Sequence, residues 1–273
     1  MNPQWQEVRV LIWGKTYPEL STKYFETVCT GGTLEDGRFI RLYPIPFRYL
    51  SEDRMFKKYQ WLRLRIKKST EDPRPESYKV DHDSFQIEST IPTDNQGWLQ
   101  RSERIFKNKS FCFDSVEELL SKNKIQKTSL GFVRPKRIDD IIIESRPNSE
   151  YDEFLKKMIA NKERTKQTAM FDLVTIEEIK SLQYISQRFK ISFHCNSQNC
   201  NGHNMSILDW EAYELVRKVG LNKANQKLQE ILDLSKYDTG FFLGNFRLYP
   251  GSFAIGGLWY PKKMKHPTTG RLF

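Results

Sequence analysis

The sequence predicts an α+β protein, and three observations lead to this class. Strand patterns dominate the first half of the 273 residues, helices and strands mix in the second half, and a glycine-rich β segment closes the chain. We expect residues 1–147 to form a strand-rich domain, a small barrel comparable by analogy only to OB or PUA folds. Residues 148–273 are expected to form a mixed domain that carries a Cys/His metal knuckle. The boundary lies at Pro147-Asn148 because proline and asparagine end a strand.

Alternation of apolar and polar residues predicts the elements of the first half. Val8, Val10 and Ile12 alternate along the first strand, and Asp36-Gly37 is a typical hairpin turn between the next two. The predicted strands cover residues 6–13, 26–33, 38–45, 59–68, 78–88 and 138–144, and the predicted helices cover residues 94–106 and 115–121.

The second half is predicted to contain four helices, one short strand and the closing β segment. The strand leads into the Cys/His loop, and the helix after that loop begins near a Ser206…Asp209 pattern that resembles a capping box. The predicted helices cover residues 151–164, 176–186, 207–219 and 223–234, the strand covers residues 190–195, and the β segment covers residues 239–260.

Composition points to a folded protein with a polyanionic partner. The net charge is +10 and aromatic residues make up 13% of the chain, so nucleic acid is the partner class that the charge favours. The N-terminus lacks the pattern of a secretory signal, and the uncharged, apolar-leaning run over residues 250–261 is too short to span a membrane. Four cysteines, two of them isolated, fit a reducing compartment. We therefore expect a cytoplasmic protein without a membrane partner.

A basic and aromatic sheet face is predicted between Arg41 and Lys68. This stretch holds nine lysines and arginines against two acids. Strand alternation places apolar side chains on one face and cations with aromatic rings on the other. The cations are expected to contact phosphates and the rings to stack on unpaired bases, although a merely solvated outer face is the alternative. The proposed nucleic-acid-binding residues are Arg41, Tyr43, Trp61, Arg63, Arg65 and Lys67.

Cys195, Cys200 and His203 form a C-x4-C-x2-H pattern within one loop. Thiolates and imidazoles this close together are the ligands that zinc prefers. Three interpretations stay open: a structural zinc site, a catalytic metal with one open position, and no metal at all. The fourth ligand is not visible in the pattern, and Cys29, Cys112, His266 and Asp209 are the candidates.

Three carboxylates are candidates for acid–base chemistry. Asp72 and Glu76 flank Arg74 in a proline-rich segment, where a turn with a local Arg–carboxylate pair is the favoured interpretation. Glu211 lies beside apolar helix positions and needs a partner, for which a lysine or arginine of the first half is favoured. Helical spacing predicts that Asp209 and Glu211 point in opposite directions.

The sequence thus predicts a nucleic-acid-binding protein, for DNA or RNA, with a structural Zn²⁺. The alternative is a metal-dependent enzyme acting on nucleic acid or nucleotides, similar to a hydrolase or nuclease. In that case Glu211, Asp72 and Glu76 are the carboxylates, and His203 or His82 is the base. P-loop, dinucleotide-binding, nucleophile-elbow and H-E-x-x-H motifs are absent from the sequence. A basic tail from Lys262 to Arg271 is expected to add phosphate contacts.

Overall fold

The structure is a computed structural model that describes residues 4–21, 25–169 and 182–263. The predicted helix over residues 176–186 falls mostly outside the described residues, and its described part, residues 182–186, is not helical. The basic tail from Met264 onward also lies outside them.

A closed five-stranded barrel forms the N-terminal part, which confirms the prediction of a small barrel. In chain order the strands of this part are β1 (Gln6–Lys15), β2 (Glu19–Ser21), β3 (Phe25–Leu34), β4 (Phe39–Ile45), β5 (Gln60–Lys68), β6 (Ser77–Val80) and β7 (Gln86–Thr90). Around the barrel the order is β1-β3-β4-β6-β5, and pairing of β5 with β1 closes the ring. The β4–β6 pair is parallel and the other pairs of the ring are antiparallel. Outside the ring, β2 pairs with β3, and β7 pairs with β5.

The barrel interior is filled by the apolar side chains that the alternation pattern predicts. Val10, Ile12, Leu62, Leu64 and Ile66 are all buried in one cluster. Burial of such side chains contributes roughly 1.5–3 kcal/mol each, so this cluster is the main source of barrel stability.

The β3–β4 hairpin turns at Gly37, as predicted. Gly37 has a φ of +88°, a left-handed conformation that glycine adopts without strain. A Cβ atom at this position would lie 2.6 Å from the backbone nitrogen of Asn108, so the turn also needs glycine for space.

The remaining described residues form five α-helices and two further sheets. The elements are α1 (Asn95–Ile105), β8 (Cys112–Phe113), α2 (Val116–Gln126), β9 (Leu130–Val133), β10 (Arg137–Ser145), α3 (Asn148–Ala169), β11 (Gln187–His194), β12 (His203–Ser206), α4 (Trp210–Val219), α5 (Leu221–Ile231), β13 (Gly240–Asn245) and β14 (Phe253–Trp259). The strands β10, β11 and β12 form one sheet, and the other sheet has the order β14-β13-β9-β8.

An aromatic layer joins the barrel to the C-terminal sheet. Trp13 of β1 points out of the barrel and stacks on Phe242 of β13, with ring centroids 4.5 Å apart. Phe132 of β9 and Trp259 of β14 belong to the same buried cluster. The outer side of β1 is therefore covered by protein at Trp13.

No helix within the described ranges has both the length and the apolar character that crossing a membrane requires.

Candidate metal centre and nucleic-acid interface

Four side chains form a compact cluster that could hold a metal ion. The ligand atoms of Glu117, Cys195, Cys200 and His203 all lie within 4.8 Å of one another. The Sγ atom of Cys200 lies 3.3 Å from Nε2 of His203, and that nitrogen lies 3.1 Å from Oε1 of Glu117. Two ligands thus come from the β11–β12 connection, His203 from the first position of β12, and Glu117 from the first turn of α2.

The β11–β12 connection is shaped for this arrangement by its backbone. Gly202 has a φ of +90°, and a Cβ there would approach the ring of His194 to 3.1 Å. The backbone N–H of Cys195 donates to Sγ of Cys200 at 3.2 Å, and that of Val116 donates to Sγ of Cys195 at 3.4 Å. Donors of this kind stabilise thiolates, which are the ligand form of cysteine.

Glu117 is held at the cluster by the capped start of α2. Oγ of Ser115 accepts the backbone N–H of Glu118, and the carboxylate of Glu118 accepts the backbone N–H of Asp114. Oε2 of Glu117 is buried and has no hydrogen-bond partner. A buried carboxylate oxygen without a partner is costly, and a bound cation would satisfy it.

Burial sets the protonation states of the two most enclosed ligands. It raises the pKa of the Cys195 thiol to about 12, although the hydrogen bond from Val116 acts in the opposite direction. Burial lowers the pKa of His203, which favours the neutral imidazole that ligates metals. Metal binding at Cys195 therefore requires release of a proton from a buried thiol.

The sequence pattern revealed three of the four cluster residues and missed Glu117. The candidates Cys29, Cys112 and Asp209 are not members of the cluster, and His266 lies outside the described residues. His194, the neighbour of Cys195, instead contacts Asp139 at 2.8 Å. The only sequence signal for Glu117 was its position in the first turn of a capped helix, and that signal does not identify a ligand.

The outer face of β5 has the side-chain arrangement predicted for it, but it carries charges of both signs. Leu62, Leu64 and Ile66 point into the barrel, and Trp61, Arg63, Arg65 and Lys67 point outward.

The expected excess of positive charge on this face is wrong because neighbouring strands contribute acids. Arg63 pairs with Glu88 at 2.8 Å and with Glu7 at 3.1 Å, and Arg65 pairs with Asp81. Across the β1–β5 register, Glu7 lies opposite Arg65.

Two rings on the same face, the half-buried Trp61 and the exposed Trp5, are each covered by a cation. The guanidinium of Arg9 lies 5.1 Å from the ring centre of Trp61, and Nζ of Lys67 lies 4.6 Å from that of Trp5. Trp5 nevertheless stays exposed. The face therefore combines cations with partly accessible rings, but its charges are balanced.

Arg41 cannot act as a surface contact, so its predicted position on the binding face is wrong. Its side chain is 2% exposed, and it donates to Oγ of Ser77 and to both Oγ and the carbonyl of Ser129. The outer side of β4 is covered here by the segment that leads into β9. Tyr43, two residues further along, is exposed as predicted.

The carboxylates of the proline-rich segment have structural partners. Asp72 pairs with Arg74 at 2.6 Å, which confirms the predicted turn with a local ion pair. Burial alone would raise the pKa of Asp72, but the hydrogen bonds from Arg74 lower it to about 2. Glu76 accepts hydrogen bonds from the backbone N–H and hydroxyl of Ser129. His82 contacts the carbonyl of Pro44 at 2.9 Å.

Glu211 pairs with Lys58 at 3.1 Å, which confirms the predicted partner from the first half. Asp209 reaches the same lysine at 2.5 Å. The expectation that Asp209 and Glu211 point apart is wrong because Asp209 is the N-cap of α4 and has non-helical backbone angles. This N-cap also replaces the capping box expected at Ser206. None of Asp72, Glu76 and Glu211 belongs to the metal cluster.

Two family models match this chain. Residues 112–273, more than half of the sequence, match the model described as Domain of unknown function (DUF8757). Residues 6–107 match the model described as Domain of unknown function (DUF8758). No curated protein matches the sequence. The predicted division between residues 147 and 148 stays a prediction.

Proposed function

We propose that this chain, which belongs to the DUF8757 family, is a nucleic-acid-binding protein whose C-terminal part is held in shape by a zinc ion. The observation that carries the zinc part of this proposal is the convergence of two thiols, one imidazole and one carboxylate within 4.8 Å. These are the ligand types that bind Zn²⁺, and their number matches its tetrahedral coordination.

A structural role for the zinc is supported by where its ligands come from. Cys195 and Cys200 lie in the β11–β12 connection and His203 begins β12, whereas Glu117 lies in the first turn of α2, about eighty residues earlier in the chain. An ion held by both elements would cross-link them, and the energy of metal binding would then contribute to folding. Protein ligands at all four positions leave none for a substrate, which favours a structural site over a catalytic one.

Nucleic acid is proposed as the partner because of the net charge of +10 and the cation–ring pairs on the barrel. Aromatic rings can stack on bases while nearby cations neutralise phosphates. The five-stranded barrel is proposed to serve as the platform, in the manner of OB or PUA barrels. A cytoplasmic location is part of the same proposal, since all four cysteines are free thiols.

The alternative of a metal-dependent enzyme has less support. Such an enzyme needs a carboxylate or histidine placed beside an open metal position. Glu211 and Asp72 are instead engaged in ion pairs, and Glu76 is hydrogen-bonded to Ser129. Among the residues that the structure describes, the carboxylate and the histidine in the metal cluster are Glu117 and His203, and both are needed as ligands.

Metal analysis of the purified protein tests the zinc. We expect one zinc per chain, lost in Cys200→Ser together with a large fall in Tm. Cys112→Ser is the matched control, because Cys112 is also a half-buried free thiol but lies outside the cluster. Equal zinc contents in the two variants, or no zinc in the wild-type protein, would contradict the proposal.

The nucleic-acid partner is tested by fluorescence anisotropy across a salt series. The probes are single- and double-stranded oligonucleotides of DNA and RNA. We expect binding that weakens steeply with salt, because phosphate contacts release counterions. Absence of binding to all four at low salt would exclude nucleic acid and leave the zinc proposal intact.

A further inference from the structure

The β13–β14 connection exposes an unusual run of large apolar side chains. Residues 246–252, which we call the 246–252 loop, are all exposed. Phe246 is 40% exposed, Leu248 75% and Tyr249 68%. Within the described part of the chain, neither Phe246 nor Tyr249 stacks on another ring or lies under a cation. Large apolar side chains gathered at one exposed site are typical of a binding surface.

The loop is held in one shape by its own hydrogen bonds. The side-chain amide of Asn245 donates to the carbonyl of Pro250 at 2.9 Å, and the backbone N–H of Ser252 donates to the carbonyl of Tyr249 at 2.9 Å. Arg74 donates to the carbonyl of Asn245 at 2.6 Å. The rings are therefore presented by a preorganised loop, which lowers the entropy cost of binding.

Positive charge surrounds the base of the loop. Arg247 donates to the carbonyl of Glu71 at 3.1 Å, and the loop thereby contacts the proline-rich segment and its neighbours. A hydrogen-bonded network around this contact contains five cations and three carboxylates. Its cations are Arg41, Lys68, Arg74, Lys79 and Arg247, and its carboxylates are Glu71, Asp72 and Glu76.

The outer face of β5 differs in this respect. There, four cations meet four carboxylates, and its two tryptophans lie under cations. The 246–252 loop combines a surplus of positive charge with uncovered rings, so it fits a polyanion with unpaired bases better than the β5 face does.

We propose that the 246–252 loop is a second surface, in addition to the barrel platform, that binds single-stranded nucleic acid, with the rings of Phe246 and Tyr249 stacking on bases and Arg247 contacting a phosphate. This inference rests on the proposed function and names a second site at which it acts.

The test measures anisotropy of a labelled single-stranded oligonucleotide of about 15 nucleotides across a salt series. Tyr249→Ala is expected to lower the affinity about tenfold without changing the salt slope, because a neutral ring releases no counterions. Arg247→Ala is expected to lower the slope by about 0.7, the value for one phosphate contact on a single strand. Tyr249→Phe keeps the ring and is expected to keep the affinity.

Tyr151→Ala is the matched control, since Tyr151 is an exposed tyrosine on α3. Circular dichroism and zinc content confirm the fold of each variant. Wild-type affinity in both Tyr249→Ala and Arg247→Ala, in a protein that binds the oligonucleotide, would overturn the loop proposal and leave the proposed function standing. No binding by the wild-type protein would remove the proposed partner and this inference with it.

Sedimentation with vesicles of phosphatidylserine and phosphatidylcholine tests whether the 246–252 loop instead binds an anionic membrane surface. Exposed apolar residues beside cations can also contact an anionic membrane surface. Vesicle binding that is lost in Tyr249→Ala, while oligonucleotide binding is unchanged, would overturn the assignment of this loop to nucleic acid.

Discussion

Nζ of Lys58 lies 2.5 Å from Oδ2 of Asp209, and this ion pair joins the barrel to the start of α4. The side chains are 5% and 1% exposed, so neither charge has access to bulk water. Oδ2 of Asp209 also accepts the backbone N–H of Leu258 in β14. Burial alone would lower the pKa of Lys58, but Asp209 and Glu211 raise it well above its usual value. The lysine therefore stays charged in the folded protein.

Replacement of Lys58 is expected to be strongly destabilising. Lys58→Met leaves the carboxylate of Asp209 buried without a cation, and loss of one partner of a buried pair costs about 3–5 kcal/mol. Urea unfolding at pH 7 measures the change in the free energy of unfolding. Lys57→Met removes the same charge from the exposed neighbouring residue and is expected to cost under about 0.5 kcal/mol. Similar losses of unfolding free energy in the two variants would show that the buried ion pair does not stabilise the contact between the barrel and α4.

Lys15 is expected to make stability rise with pH. Its amino group is buried, donates to the carbonyl of Phe56 at 2.8 Å and lies 3.7 Å from the ring centre of Phe47. Burial lowers the pKa of Lys15 from 10.5 to about 8. Between these two values the unfolded chain binds the proton and the folded chain does not. The free energy of unfolding therefore increases through this window as pH rises.

Lys15→Met removes this titration. Between pH 7.5 and pH 10, the free energy of unfolding of the wild-type protein should rise relative to that of the variant by about 2 kcal/mol. Urea unfolding of both proteins at each pH gives the difference, and other titrating groups cancel in it. Parallel curves for the two proteins would contradict the lowered pKa.

Alternation predicted the strands of the barrel well, but it could not tell solvent from a second protein layer. Leu62 and Leu64 were assigned inward correctly because the inner face of a barrel is uniformly apolar. Arg41 and Trp13 lie on outer faces by the same rule, yet both are buried by residues from Ser129 onward. A period of two residues defines a face of a sheet, and the element that covers this face is set by tertiary packing.

The predicted excess of positive charge on the outer face of β5 was wrong for a related reason. Counting charges along residues 41–68 ignores the strands that lie beside β5. The acids that neutralise Arg63 come from β1 and β7, and they lie beside β5 only once the strand order is known. A run of like charge in the sequence is thus a weak guide to the potential of a sheet surface.

The metal cluster shows the same division between local and distant information. Cys195, Cys200 and His203 are close in sequence, so their spacing revealed them. Glu117 comes from another element, and its approach to His203 depends on how α2 packs against the β11–β12 connection. Sequence spacing could therefore identify the loop ligands but not the ligand that closes the site.

Glu117→Gln is expected to weaken zinc binding while keeping the fold of α2. The amide has nearly the same shape as the carboxylate but lacks its charge, and Ser115 and Glu118 still cap the helix. Loss of a ligand should lower zinc affinity at least as much as loss of an outer-shell partner, about tenfold or more. Competition with a chromophoric chelator measures the affinity. Unchanged affinity in Glu117→Gln would show that the carboxylate of Glu117 is not a ligand.

Arg63→Ala combined with Arg65→Ala is expected to weaken nucleic-acid binding even though both arginines already have carboxylate partners. Exposed ion pairs contribute little energy, so phosphates can compete for these arginines. Their removal leaves Glu7 and Asp81 facing the ligand without these cations. We expect the slope of log affinity against log salt concentration to fall in this double variant. The fall should be smaller than the value for two phosphate contacts, which two unpaired arginines would give.

Lys122→Ala combined with Lys124→Ala is the control for this double variant. It removes the same charge from the exposed side of α2, away from β5, and it changes the long-range attraction equally. Anisotropy across a salt series compares the two proteins. A larger loss in the β5 variant would mean that the barrel face contacts the strand directly. Equal losses would mean that β5 contributes only through net charge, and the 246–252 loop would then be left as the surface that contacts bases.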